Sequence, residues 1–296
     1  MRIVYSPRYH VDIGPHVFPT AKYEAIHREL SAEGGWSWVE PAPASWADLA
    51  LVHTDDYLRK ARTGAFTPEE IAEIQLPWSR EIVEAFRLMT GGTVDAARLA
   101  VDTGLGLHAG GGFHHAFANH GEGFCFFNDV ALAIRVLQRD RRLMRVAVVD
   151  LDVHHGNGTS MIFDGDRSVF TFSMHQQHNY PMLKPRGALD IGLADGTGDD
   201  EYNAKLRAAL PTVLASDPGI VFYLAGADPF AGDQLGGLAL TQAGLLERDG
   251  IVFDACRAAG VPVVVTLAGG YAHRLEDTVA IHRATIERAA RTFSGR

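Results

Sequence analysis

Short runs of apolar, often β-branched residues alternate along the chain with longer segments whose apolar positions recur every three or four residues. The first pattern predicts strands over residues 2–6, 37–40, 106–109, 145–151, 168–173, 220–225 and 262–268. The second predicts helices over 21–30, 47–62, 68–74, 81–102, 129–141, 200–215, 242–259 and 274–292. Thr67, Pro68 and Glu70 form a capping-box start for the third of these helices. Runs such as Val146-Ala147-Val148-Val149 have no polar face, as a parallel strand covered on both sides requires. The expected fold class is α/β, a doubly wound, mostly parallel sheet with helices on both faces. No repeat, low-complexity tract or Pro/Ser-rich linker interrupts the alternation, so residues 1–296 are expected to form a single domain.

Composition narrows the class. A chain of 296 residues with 47% apolar and 21% charged residues can bury a large core, and is neither disordered, collagenous nor a coiled coil. With 27 Lys+Arg against 36 Asp+Glu, the net charge of -9 repels a polyanion and attracts cationic ligands. No nucleic-acid partner is therefore expected. The start, Met1-Arg2-Ile3-Val4-Tyr5-Ser6-Pro7, lacks the apolar stretch of a signal peptide, and no run approaches the length of a membrane span. Two cysteines, Cys125 and Cys256, make no disulfide framework. A soluble cytoplasmic protein without a membrane partner is expected, and in that compartment the acceptor-like Asn157-Gly158-Thr159 has no meaning. Nothing specifies an oligomeric state.

Histidine changes the picture. Eight of the fourteen histidines fall between His108 and His178, and histidine is both the commonest metal ligand and the usual acid/base near neutral pH. In an open parallel sheet, ligands bind beyond the carboxyl ends of the strands. One predicted strand runs into Asp150-Leu151-Asp152-Val153-His154-His155-Gly156. Residues two apart share a face, so Asp150, Asp152 and His154 can converge, and carboxylate plus imidazole suits zinc. The same residues would also serve a turn whose side chains cap backbone groups. A second strand leads into Gly110-Gly111-Gly112-Phe113-His114-His115, a third ends at Asp228, and a fourth ends at Gly269-Gly270-Tyr271.

Singly these ends are weak signals; together they complete a chemistry. A three-ligand zinc keeps an open position for water. An imidazole takes a proton and returns it to an amine, and a phenol donates to a developing oxyanion. That set suits amide hydrolysis. A P-loop is excluded because no Gly-Lys-Ser/Thr follows the glycines. The dinucleotide-like Gly104-x-Gly106-x-x-Ala109 is excluded because its second glycine begins a strand.

Gly-Gly-Gly-Phe-His-His, the Gly-Phe-Cys-Phe-Phe-Asn-Asp of 123–129, Asp-Leu-Asp-Val-His-His-Gly-Asn-Gly and the Gly-Asp-Gln-Leu-Gly-Gly-Leu of 232–238 carry a resemblance over nearly the whole chain. The protein resembles the zinc-dependent histone deacetylase superfamily of the arginase–deacetylase fold, most closely the class IV branch and its bacterial relatives. The resemblance implies one Zn2+ bound by Asp152, His154 and Asp228. It implies His115 as general base and then acid, with Asn157 behind it, and His114 oriented by Asp150 as an electrostatic partner. Tyr271 would polarise the scissile carbonyl. An asparagine adds no charge, so the His115 imidazolium should be less favoured than that of His114 beside Asp150. Further implications are an acyl-lysine channel at Gly123, Phe124, Gly269 and Gly270, with Tyr180 as facing aromatic, and a specificity position at Leu235. A monovalent cation, K+ or Na+, would bind backbone carbonyls at Asp150, Asp152, His154, Ser173 and Met174, and a second would bind at Phe163, Asp166 and Val169. The chain departs from the family pattern in the loop 175–181. It also departs in 67–79, where the carboxylate that grips substrate backbone in many relatives has no clear match.

The first functional expectation is a zinc-dependent hydrolase that removes acetyl or longer fatty acyl groups from lysine side chains of proteins or peptides. The alternative is an acetylpolyamine deacetylase acting on a small acylated amine. Polyamine-selective relatives carry a carboxylate where this chain has Leu235, and leucine cannot pair a distal ammonium; Asp233 nearby keeps the alternative open. A binding-only protein would be expected to lose His115, Tyr271 or a metal ligand, and all are present. An arginase-like dimanganese site would need further ligands, yet Gly156 follows His154-His155.

Overall fold

The computed structural model describes residues 1–142 and 144–294. Eight strands form one sheet in the order β2-β1-β3-β8-β7-β4-β5-β6, and every neighbouring pair is parallel. These strands are β1 (Arg2–Val4), β2 (Ser37–Val39), β3 (Leu105–His108), β4 (Val146–Asp150), β5 (Val169–Gln176), β6 (Leu189–Leu193), β7 (Val221–Leu224) and β8 (Val263–Thr266). All residues of β3, β4, β7 and β8 are buried, which explains their unbroken apolar runs.

The helices are α1 (Ala21–Glu33), α2 (Trp46–Leu49), α3 (Asp55–Thr63), α4 (Pro68–Ile74), α5 (Arg80–Thr103), α6 (Asp129–Arg139), α7 (Asn157–Ile162), α8 (Asp199–Ala215), α9 (Gln242–Ala258) and α10 (Leu275–Phe293). They form two groups, α5 packing on α6, and α1, α10, α9 and α8 packing in succession. Among the described residues, no helix is long and apolar enough to cross a membrane.

Three elements differ from the expected pattern. The helix anticipated over 47–62 is two helices, because Thr54 turns extended and its side chain accepts from Tyr57 N, starting α3 afresh. Helix α7 has six residues, begins inside the His-His-Gly-Asn-Gly run and lacks a side-chain cap. Strand β6 is a sheet edge with only Leu193 buried. The capping box at Thr67 and Glu70 is present.

Topology brings the four polar strand ends together. β3, β8, β7 and β4 lie side by side, although they span residues 105 to 266 of the chain. Buried Arg248 ties two of those ends, donating from Nη1 to Gly226 O at 2.6 Å and to Leu151 O at 3.4 Å, while Asp249 neutralises it at 2.8 Å. An ion pair this deep is costly to break on one side only.

His53 supports the same region from α3's side and gives the fold a pH dependence. Its Nδ1 donates to Phe117 O at 2.9 Å and its Nε2 accepts from Asn128 N at 3.2 Å. Only the neutral ring can do both. Burial pushes its pKa down to about 4, against the Phe117 and Ala118 backbone bonds that favour the cation. The unfolded chain takes up the proton near 6.5 and the folded one does not. The contribution of His53 is therefore fully present above pH 6.5 and is lost as pH drops toward 4, by roughly 3 kcal/mol. Urea midpoints measured from pH 7 to 4 should fall more steeply for the wild type than for His53→Gln; equal slopes would remove His53 as the cause.

Candidate active site and metal centre

Beyond the central strand ends, a narrow cleft is lined by Phe18, Gly112, His114, His115, Phe124 and Tyr271, with Asp152, His154 and Gly269 in its wall. Asp152, His154 and Asp228 are all buried, and their candidate ligand atoms lie within 4.8 Å of one another. His154 Nδ1 is 3.0 Å from Asp152 Oδ1 and 3.4 Å from Asp228 Oδ2. The carboxylates are held from behind: Asp152 accepts from His154 N and Gly269 N, and Asp228 Oδ1 accepts from Val153 N.

These residues fit a divalent cation. Asp228 Oδ2 is buried and accepts no hydrogen bond, an expense that a metal ligand does not incur. Burial, and then the charge of Asp152, push the Asp228 carboxyl up to about 7. Burial alone would lower His154, but Asp152 and Asp228 outweigh it and raise the imidazole to about 10. The set draws positive charge into a buried place, and an Asp–His–Asp donor set suits zinc.

The tandem histidines have opposite surroundings. His114 Nδ1 donates to Asp150 Oδ2 at 2.6 Å. Burial opposes its protonation, yet Asp150 and Asp152 lift it to about 9. His115 Nδ1 meets Asn157 Oδ1 at 2.7 Å, and its Nε2 lies 3.1 Å from His114 Nε2. Burial, followed by the charges of His114 and His154, holds His115 well below the ordinary imidazole range. Tyr271 is kept in its phenol form by burial and by the nearby Asp152 and Asp228.

The expected channel residues divide. Gly123, Phe124 and Gly269 line the cleft, and the Tyr180 ring stands edge-on to His115 at 5.0 Å. Gly123 needs its positive φ and its missing side chain, because a Cβ would sit 2.8 Å from His115 Cδ2 and 3.0 Å from Tyr180. Gly270 faces Thr278, Ala227 and His282 instead. Leu235 stays outside the lining, its carbonyl taken by Asn179 Nδ2 at 2.7 Å. Of the expected monovalent-cation residues, Asp150 pairs with Ser173 across β4 and β5, with Met174 next in β5. Phe163, Asp166 and Val169 bracket one tight turn, joined by Asp166 N to Phe163 O and Val169 N to Asp166 O.

Sequence reasoning missed three supports. Asp129 accepts from Thr93 and from the amides of Gly112 and Phe113, which shapes the glycine loop before His114. Lys22 is fully buried, with Nζ donating to Ala268 O at 2.8 Å among the rings of Phe18, Tyr23 and Tyr271. Glu122 reaches Asn157 Nδ2 at 2.7 Å, so the uncharged residue behind His115 has a carboxylate behind it.

The sequence profile of the histone deacetylase domain matches residues 16–286. The chain belongs to the histone deacetylase family, hydrolytic deacetylases of the arginase–deacetylase fold. It is 42% identical over 294 residues to an uncharacterized protein of Picosynechococcus sp., covering 98% of each chain. It is 34% identical to histone deacetylase 2 of Arabidopsis thaliana, covering 91% of this chain and 74% of that one. Identity to the acetoin utilization protein AcuC of Bacillus subtilis is 30%, over 80% of this chain and 68% of the relative. The crystal structure of the HDA15 HD domain superposes with a TM-score of 0.80 at 25% identity, covering 100% of this chain and 91% of that one.

Proposed function

We propose that this deacetylase is a zinc-dependent amidohydrolase that removes acyl groups from lysine side chains of proteins or peptides, acting as one catalytic domain over residues 1–296. The observation that carries the reading is the buried Asp152–His154–Asp228 set beside His115, whose Nδ1 meets Asn157 Oδ1, whose Nε2 lies 3.1 Å from His114 Nε2, and whose burial disfavours the cation. Bound there, Zn2+ would supply Lewis acidity toward the amide carbonyl and make a water acidic enough to attack near neutral pH.

The rest is the work of this chain's side chains. His115 Nε2 takes the proton of the attacking water and delivers it to the lysine nitrogen as the C–N bond breaks. His114, protonated and anchored by Asp150, adds positive charge where the carbonyl oxygen becomes negative. The Tyr271 phenol donates a hydrogen bond to the same oxygen. Gly123, Phe124 and Tyr180 flank the acyl-lysine stem. K+ or Na+ at the Asp150–Met174 carbonyls would stiffen the floor of the site.

An acetylpolyamine substrate is less well supported. Asp233, two residues before Leu235, already accepts the amides of Leu235, Gly236 and Tyr271 with its carboxylate oxygens. That leaves it poorly placed to hold a distal ammonium.

The test is amine release from one lysine peptide carrying acetyl, octanoyl or myristoyl, and from acetylputrescine, with and without a chelator. Chelator-sensitive turnover of the acyl-lysine peptides, restored by added Zn2+, is expected. Turnover confined to acetylputrescine would overturn the lysine assignment, and turnover indifferent to chelation would overturn the zinc.

A further inference from the structure

Asn157 alone cannot tell His115 which ring nitrogen should carry its proton. An amide offers a carbonyl oxygen on one side and an NH2 on the other, and either can face the imidazole. If Nδ2 faced His115, Nδ1 would have to accept, and the proton would move to Nε2. The nitrogen turned toward the substrate would then be a donor, useless as a base.

The structure resolves this choice with Glu122, whose side chain is only 14% exposed. Its Oε1 accepts from Asn157 Nδ2 at 2.7 Å and from the Tyr180 hydroxyl at 2.6 Å. Its Oε2 faces His120 Nε2 at 3.6 Å. An ionised carboxylate only accepts, so it compels the asparagine to turn NH2 outward and oxygen toward His115. Asn157 Oδ1 then requires a hydrogen on His115 Nδ1, which leaves Nε2 with a lone pair and so able to accept, as it does toward His114 Nε2 at 3.1 Å. Glu122 Oε1 also holds the Tyr180 ring through its hydroxyl, and that ring stands edge-on to His115 at 5.0 Å and beside Gly123.

We infer that Glu122 is a positioning residue that sets the tautomer of His115 through Asn157 and fixes the channel wall through Tyr180. The inference rests on the reading of His115 as the base. It assigns Glu122 no contact with substrate or metal. Its contribution is hydrogen-bond polarity: two groups that could point either way are made to donate toward one acceptor.

The discriminating variant is Glu122→Gln, which keeps the size of the side chain but can present an NH2 where the carboxylate only accepts. On the acyl-lysine peptide, kcat should fall about tenfold, part of the 10²–10⁴ that a general base supplies. Metal content should stay at the wild-type level, and Glu122→Asp, still acceptor-only, should keep more activity than Glu122→Gln. Long-range 1H–15N correlation of the labelled His115 ring should report Nδ1–H in the wild type and a mixture of tautomers in Glu122→Gln. Because the tautomer effect runs through Asn157, adding Glu122→Gln to Asn157→Ala should lower kcat little further, and any added change should fall on KM through Tyr180. Wild-type kcat and an unchanged His115 tautomer in Glu122→Gln, with His115→Ala inactive, would overturn the positioning role and leave the base standing. An active His115→Ala would overturn the base itself, and the inference with it.

Discussion

His115→Ala should lower kcat on an acyl-lysine peptide by roughly 10²–10⁴-fold while the protein folds and binds metal as the wild type does. The expectation rests on where His115 lies relative to the metal set. It is buried and touches the cleft, but the three candidate ligands are Asp152, His154 and Asp228, and the two carboxylates are held by the amides of Val153, His154 and Gly269. On the proposed mechanism, removing it takes away the proton acceptor and leaves the candidate metal cage. Its neighbour is the poorer proton acceptor, because Asp150, hydrogen-bonded to its Nδ1, favours the His114 cation. Amine release and metal content measured on the same preparation decide the matter. Substantial turnover with a full metal complement would mean that the proton travels another way. Loss of metal would mean that His115 helps hold the cage.

The unequal surroundings of the two adjacent histidines were partly legible in the sequence. Asp150, Asp152 and His154 alternate in the sequence, but β4 ends at Asp150, so the bend that follows it, not the strand period, brings Asp152 and His154 to Asp228 while Asp150 turns to His114. The family resemblance put Asp150 beside His114 and an asparagine behind His115, and those pairings implied unequal proton affinities. What spacing could not reveal is how far away the supporting groups lie. Glu122 reaches Asn157 across 35 residues and Lys22 reaches Ala268 across 246. Neither carries a local pattern: a lysine in the first turn of an amphipathic helix reads as surface, and a glutamate among glycines reads as loop. The missed elements share this cause. β6 owes its existence to pairing with β5, and α7 to a loop already folded around His114, whose carbonyl accepts from Thr159 N. Where contacts are local the pattern of side chains carries the answer, and where the sheet must assemble first it does not.

Gly269→Ala tests the metal cage from its backbone and should be nearly as damaging as losing the base. Gly269 N donates to Asp152 Oδ2 at 2.8 Å, and a Cβ on Gly269 would lie 1.9 Å from Asp228 Oδ2 and 2.5 Å from Asp152 Oδ2. Both oxygens belong to carboxylates of the metal set, and neither can swing aside. Asp228 is fully buried with its other oxygen on Val153 N, and Asp152 is pinned by two amides. One methyl group must therefore displace a ligand or shift the β8 end. Losing an outer-shell partner typically costs 10–100-fold in metal affinity or activity, and the clash adds to that. Zinc affinity and kcat/KM should fall together by at least about 10²-fold, with part of the activity returning at high Zn2+. Gly270→Ala is the contrast. Its Cβ would meet Thr278, Ala227 and His282, none of them in the set, at a φ of +155° that strains any side chain. That variant should unfold at lower denaturant and still bind zinc tightly, because its strain falls on packing behind the cleft. Wild-type zinc affinity in Gly269→Ala would show that Asp152 and Asp228 are not the ligands, since no arrangement that keeps both in place admits the methyl.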